Sequence, residues 1–366
     1  MPTLRSQIFK LYFRARNSRL PLDRPIPDQR ETMDRRGHRL LPMAEGMLAS
    51  PVDAFGIPSE WIDLRETRSD RAFLYLHGGG YFIGSCQSHR GFVSQIAKAS
   101  GCRALLPEYR LAPEHQFPAG LLDARAAYRF LMAQGYSPDR IIIGGESSGG
   151  GLTLALLQTI RDEGMPMPAG AVLLSPWTDL SGSGNSLRTR ARSDPWLRPA
   201  GIPIVADRYR GSTPTEHPLV SPLYADLSGL PPMLLHVGND EILLDDSTRL
   251  ASKARSAGVV ASLKVWKGLW HAFHAFYPWV PEARQAHREI GEWVATRMET
   301  GAVPEPGPVP ETVPEAKHDS ISRRSYRRRS AQLGSAPQSR AAATEGSGGL
   351  DRQQDQRQLG GLAAGR

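Results

Sequence analysis

Between residues 71 and 268 the apolar positions gather into six short runs: RAFLYLH (71–77), GCRALLPEY (101–109), RIIIGG (140–145), GAVLLSPW (170–177), PPMLLHVG (231–238) and ASLKVWKG (261–268). Strands that read as continuous apolar runs, without polar alternation, are buried on both faces. Between them lie GFVSQIAKAS, AGLLDARAAYRFLMAQG, GGLTLALLQTIRDEG and DSTRLASKARSAG, and EARQAHREIGEWVATRM follows the last. These repeat apolar residues every three or four positions, as a helix with one buried face does. The alternation predicts an α/β fold with a mostly parallel central sheet and helices on both faces. Residues 179–217, rich in Gly, Ser, Arg and Pro, break the rhythm and read as an insertion between two strands.

The two ends of the chain behave differently. In MPTLRSQIFKLYFRARNSRL, residues Leu4, Ile8, Leu11 and Tyr12 share one helical face. Lys10 interrupts the apolar run, which is too short for a signal-peptide core or a transmembrane segment. This segment reads either as a surface-associating or lid helix or as an ordinary packing helix. From residue 299 onward the periodicity is lost in VPEPGPVPETVPEAK and RRSYRRRS, and residues 299–366 read as a disordered Pro/Arg/Gly-rich tail. The arginines at 323, 324, 327, 328 and 329 either meet acidic partners or are simply solvated.

Composition adds bounds. The 366 residues suffice for one large domain or two of about 150 each. A formal net charge of +8 raises nucleic acid and anionic membrane as partners. The arginines are dispersed, however, and no aromatic-interleaved basic patch occurs, so no nucleic acid is expected. Cys86 and Cys102 have no metal-type spacing and form no disulfide framework, which fits a reducing cytoplasm.

Candidate chemistry follows the strands, because ligands of parallel sheets bind beyond their carboxyl ends. After RIIIGG, the stretch Gly145-Glu146-Ser147-Ser148-Gly149 fits Gly-x-Ser-x-Gly between a strand and a helix. Glycines two positions either side permit a sharp turn that presents Ser147 at a helix N-terminus, where a developing anion is favoured. After RAFLYL come His77, Gly78, Gly79 and Gly80. Their amides, with that of Ser148, make a candidate oxyanion hole, and His77 reads as a brace for the loop. A serine hydroxyl needs a base and an orienting acid. The loops after the last two apolar runs supply Asp240 or Glu241 and His271 or His274, and local physics leaves both choices open. His217, His236 and His287 read as structural or surface residues.

The stretches YLHGGGYFIGS, YRLAPEHQFPA, GGESSGGG, LSPWTDL, DEILLDDS and LWHAFH, in this order, resemble the hormone-sensitive-lipase-like family of α/β-hydrolases, which includes bacterial carboxylesterases and acetyl-hydrolases. The resemblance covers about residues 70–275 and implies the α/β-hydrolase fold with a helical cap. It places the acid on Glu241, which starts the family's acid-x-Leu-x-Asp pattern, where most relatives have Asp. It places the base on His271 through the family's His-x-Phe. Ser148 stands where relatives often have Ala, and Glu146 and Glu108 where Asp is usual; the sequence offers no physical account of the two glutamates. The implied organisation is cap helices in 1–50, a catalytic domain over 51–298 with a cap insertion at 183–220, and the tail 299–366. Phe9, Phe13, Trp196 and Tyr209 are candidates for the cap lining. The implied activity is hydrolysis of short-to-medium acyl esters through an acyl-enzyme on Ser147, with a small-molecule ester as partner and no metal or organic cofactor. Rival readings are an N-acetyl deacetylase or amidase and a non-catalytic ligand-binding relative; a homodimer is left open.

Overall fold

The computed structural model describes residues 2–17, 24–64 and 69–300. Almost all of the expected tail, with its arginine cluster, lies outside the described residues. Two helices open the chain, α1 (Leu4–Asn17) and α2 (Ile26–Leu40). Eight strands follow: β1 (Met47–Asp53), β2 (Pro58–Leu64), β3 (Ala72–Leu76), β4 (Arg103–Pro107), β5 (Ile141–Glu146), β6 (Gly170–Leu174), β7 (Met233–Gly238) and β8 (Ala261–Trp266). The later helices are α3 (Cys86–Ser100), α4 (Ala119–Ala133), α5 (Ser148–Asp162), α6 (Ser186–Thr189), α7 (Gly201–Arg210), α8 (Leu244–Ser256) and α9 (Pro281–Thr300).

The strands form one sheet in the order β1-β2-β4-β3-β5-β6-β7-β8. Pairing is parallel from β4 to β8, and antiparallel between β1 and β2 and between β2 and β4. All six strands read from apolar runs are present, and β3, β5, β6 and β7 are buried at every position. The β1–β2 hairpin carries no such run, because β1 is a half-exposed edge with Pro51 in its middle. Proline is tolerated on an edge, where no ladder amide is needed. The boundary expected between residues 50 and 51 therefore falls inside β1, and the one expected at 298 falls inside α9.

Alternate strand residues feed two apolar layers. Leu74, Leu76, Ile141, Ile143, Leu173 and Leu235 meet α4, α5 and α8 on one face. Phe73, Tyr75, Ile142, Val172 and Leu234 meet α3 and α9 on the other. Helix α3 begins with a Ser85–Ser88 capping box and ends at Gly101, whose φ of 64° closes the helix in the left-handed region.

Candidate active site

Five neighbouring strands, β3, β5, β6, β7 and β8, end on one rim of the sheet, and each hands over to a loop that carries a polar group. Ser147 follows β5 with φ 56° and ψ −124°, a strained conformation for a residue with a Cβ. The glycines explain why this turn is possible. A Cβ on Gly145 would lie 2.2 Å from the Leu76 carbonyl oxygen, and one on Gly149 would lie 2.0 Å from the same atom. The turn is pinned to the sheet, since the Ser147 amide donates to Leu174 O at 3.0 Å. Ser148 begins α5, and its hydroxyl accepts the Tyr81 amide at 3.2 Å, which ties the elbow to the glycine loop after β3.

Glu146 supplies a second tie. Its Oε1 accepts the Gly78 amide at 2.5 Å and lies 2.9 Å from His89 Nε2, while Oε2 accepts the Tyr75 hydroxyl at 2.6 Å. Burial works to raise this carboxyl, but the His89 charge and these hydrogen bonds hold it below the usual carboxylate range. The expectation that Gly78 offers an oxyanion donor is corrected here: its N–H already belongs to Glu146. Among the described residues, no acceptor engages the amides of Gly79, Gly80 or Ser148. His77 stacks on Tyr109 with centroids 4.2 Å apart, and its ring Nδ1 lies 2.8 Å from Gly78 O. Burial pushes it down to about 4, so it stays neutral as a buttress. Glu108, also unexplained by sequence, accepts the Cys86 amide at 2.7 Å, just inside the start of α3.

The geometry separates the two open choices. Glu241 Oε2 lies 3.2 Å from His271 Nδ1, and both residues are buried. Asp240 turns the other way and forms an ion pair with Lys10 of α1. His274 stacks on His236 with centroids 5.6 Å apart and packs tilted against Phe273 at 3.9 Å, and burial pushes it well below its usual value. Desolvation also works to lower His271, but contact with Glu241 more than offsets it, and the ring sits above its ordinary value. Burial raises Glu241 against the pull of His271.

Two residues here escaped sequence reasoning. Ser175, at the end of β6, has φ 48°; its side chain faces the Glu241 carboxylate, and its Oγ accepts the Ala272 amide at 3.1 Å. It thus joins the loop after β7 to the loop after β8. Asp194, in the insertion, is fully buried. Its Oδ2 accepts the amide of Ile242, next to Glu241, at 3.0 Å, and its Oδ1 accepts those of Trp196 and Leu197 at 2.8 and 3.0 Å. Burial raises its carboxyl, and the His271 charge opposes that rise. Position relative to glycine flags Ser147, but nothing local distinguishes Ser175 or Asp194 from ordinary loop residues.

Aromatic residues roof the site. Phe9 of α1 stacks on Trp270 and Trp279 at 6.0 and 5.4 Å. Phe13 meets Trp196 edge-on at 5.7 Å, and Trp196 meets His271 edge-on at 5.8 Å. Tyr209 of α7 stacks on Tyr81 at 3.6 Å, beside the glycine loop.

Comparison with known proteins gives the family. Residues 73–275, more than half of the chain, match the family described as having the alpha/beta hydrolase fold. An acetyl-hydrolase of Streptomyces hygroscopicus is 43% identical over 244 residues, which cover 66% of this chain and 81% of that protein. An esterase of Acinetobacter venetianus is 36% identical over 259 residues, 70% of this chain and 85% of its own length. The crystal structure of an esterase from the bacterial hormone-sensitive lipase family superposes with a TM-score of 0.78 at 42% identity, covering 81% of this chain and all of that one (100%). The structure of EstE5 soaked with p-nitrophenyl butyrate gives a TM-score of 0.77 at 41% identity, covering 81% of this chain and 99% of that one. A strained serine elbow, a buried Glu–His pair and a glycine loop on one sheet edge, in a chain with these relatives, make this protein a member of the α/β-hydrolase family, on its bacterial hormone-sensitive-lipase branch.

Proposed function

We propose that the protein is a serine carboxylic-ester hydrolase for short-to-medium acyl esters, with Ser147 as nucleophile, His271 as base and Glu241 as orienting acid. The observation that carries the reading is the 3.2 Å contact between Glu241 Oε2 and His271 Nδ1, on the loops after β7 and β8, along the same sheet rim as the strained Ser147 turn after β5. Ser147 Oγ adds to the ester carbonyl while His271 Nε2 takes its proton. Glu241, 3.2 Å from Nδ1, orients the ring and stabilises the imidazolium. The amides of Gly79, Gly80 and Ser148 stabilise the tetrahedral oxyanion. The imidazolium then protonates the leaving alcohol, and an acyl-enzyme remains on Ser147. Water, deprotonated by His271, attacks the acyl carbon and releases the carboxylic acid and free Ser147.

Residues 1–50 and 183–220 act as the cap, which the aromatic contacts of Phe9, Phe13, Trp196 and Tyr209 support. Among the described residues no helix is long and apolar enough to cross a membrane. The buried free thiols of Cys86 and Cys102 support a reducing cytoplasmic setting.

The test is p-nitrophenyl butyrate hydrolysis by Ser147→Ala, His271→Ala, Glu241→Ala and Asp240→Ala. The first two should lose roughly 10³-fold or more in kcat, and Glu241→Ala somewhat less. Asp240→Ala should change kcat by less than about threefold, because its carboxylate turns away from His271 to pair with Lys10. Wild-type rates from Ser147→Ala would remove the reading altogether. The name of the Streptomyces relative, acetyl-hydrolase, favours a second reading on acetylated substrates. A series of acyl lengths set beside acetylated amines separates ester from amide preference.

A further inference from the structure

Helix α1 is apolar on two opposite sides. Its inner side is locked: Phe9 and Phe13 stack on Trp270, Lys10 pairs with Asp240, and Glu282 accepts the Thr3 amide at 2.6 Å and the hydroxyl of Ser6. These latches fix the rotation of the helix, so the other side cannot turn inward. On that other side Leu4, Ile8, Leu11 and Tyr12 form one stripe, at the i, i+4, i+7, i+8 spacing of a single helical face, and are 73%, 58%, 65% and 58% exposed. Scattered exposed leucines are ordinary, but a continuous stripe of four large apolar side chains on one helix marks an interaction surface.

Charge identifies the partner. The helix LRSQIFKLYFRARN holds no acidic residue. Arg5 borders the stripe beside Tyr12, and Arg14 borders it beside Leu11. Pairing two copies of this helix would bring arginine against arginine in a chain of net charge +8. An apolar stripe flanked by arginines fits an interface that is apolar within and anionic at its rim, the chemistry of an anionic lipid surface. We propose that the outer face of α1 docks the protein onto anionic membrane, with Leu4, Ile8 and Leu11 entering the headgroup–acyl boundary and Arg5 and Arg14 meeting lipid phosphates. The helix lies against Trp270, the residue before His271, so docking sets the cap of the site beside the bilayer.

Flotation of the full chain with vesicles tests this without relying on catalysis. The protein should float with phosphatidylcholine–phosphatidylglycerol vesicles and much less with phosphatidylcholine alone, and added salt should weaken the binding. The variant Leu4→Ser/Ile8→Ser/Leu11→Ser changes only exposed positions. It should lower the partition by on the order of tenfold or more, while p-nitrophenyl butyrate hydrolysis in free solution and the melting temperature stay at wild-type values. A full-length variant with serine at Arg323, Arg324, Arg327, Arg328 and Arg329 should still float. The proposal is overturned if wild type ignores both vesicle types, if the arginine variant alone abolishes flotation, or if light scattering shows a wild-type dimer that the triple variant dissolves.

Discussion

Glu146 and Gly78 are joined by a 2.5 Å hydrogen bond, so the residue preceding Ser147 holds the first amide of the glycine loop after β3. The two halves of the site are therefore registered through one buried carboxylate, which also holds Tyr75 and His89. Replacing it as Glu146→Gln substitutes an N–H for one acceptor and removes the charge that His89 matches. The loop amides should lose alignment with the developing oxyanion. We expect kcat to fall about 10- to 100-fold, below the loss of a full donor, with KM within about threefold. Steady-state kinetics on p-nitrophenyl butyrate reads both; an unchanged kcat would mean the loop holds its shape alone.

Asp194 gives a prediction in pH. In the proposed mechanism His271 can take a proton only when neutral, so kcat/KM should rise as it loses its proton, with an apparent pKa above the ordinary imidazole value. Asp194 is one of the anions that raise it, so Asp194→Asn should move the acid limb of the profile to lower pH. A purely structural role would lower the plateau and leave the limb in place.

The elbow glycines are predicted to be irreplaceable for steric reasons. A Cβ at 149 meets Leu76 O at 2.0 Å and His77 O at 2.6 Å, both backbone atoms that cannot swing aside. Gly149→Ala should cost at least about 2–3 kcal/mol of stability, read by chemical denaturation. Gly135→Ala is the contrasting control, since a Cβ there meets nothing within 4 Å and only its φ of 89° opposes the change.

Four buried histidines set the acid side of stability. Burial lowers His77, His236 and His287 to about 4, about 3 and about 4, and pushes His274 well below its usual value. In the unfolded chain each binds a proton near pH 6.5. Their contribution is thus complete above about 6.5 and is lost as pH falls through the window toward 4, by up to about 1.4 kcal/mol per pH unit per group. His89 and His271 are raised, so their contribution runs the other way and is lost as pH climbs through their folded values. Denaturant melts across pH should show stability falling below neutrality, and His236→Phe should make that fall shallower.

Much of this was legible in the sequence because burial on both faces leaves a plain signature. The runs at 141–146 and 233–238 could hardly be anything but central strands, and Gly145 with Gly149 singles out one serine. The β1–β2 hairpin was not legible, since a half-exposed edge strand with Pro51 and Glu60 carries neither a run nor clean alternation. The choice of Glu241 over Asp240 needed family spacing, because two adjacent carboxylates differ only in the direction each side chain takes; in the fold one meets His271 and the other Lys10. Ser175 and Asp194 are contacts made across distant segments, and no local pattern encodes them.

The row of strands β3-β5-β6-β7-β8 separates durable parts from exchangeable ones. Ser147, Ser175, Glu241 and His271 stand on short junctions rooted in the sheet, whereas the aromatic roof comes from α1 and the segment after β6. The roof is fastened to the row by contacts that include Lys10 to Asp240, Asp194 to Ile242, and Ser186 to Ile242 and Asp245. A graft of a relative's roof that keeps those fastenings should change which acyl chains are accepted while leaving the bond-breaking apparatus in tune.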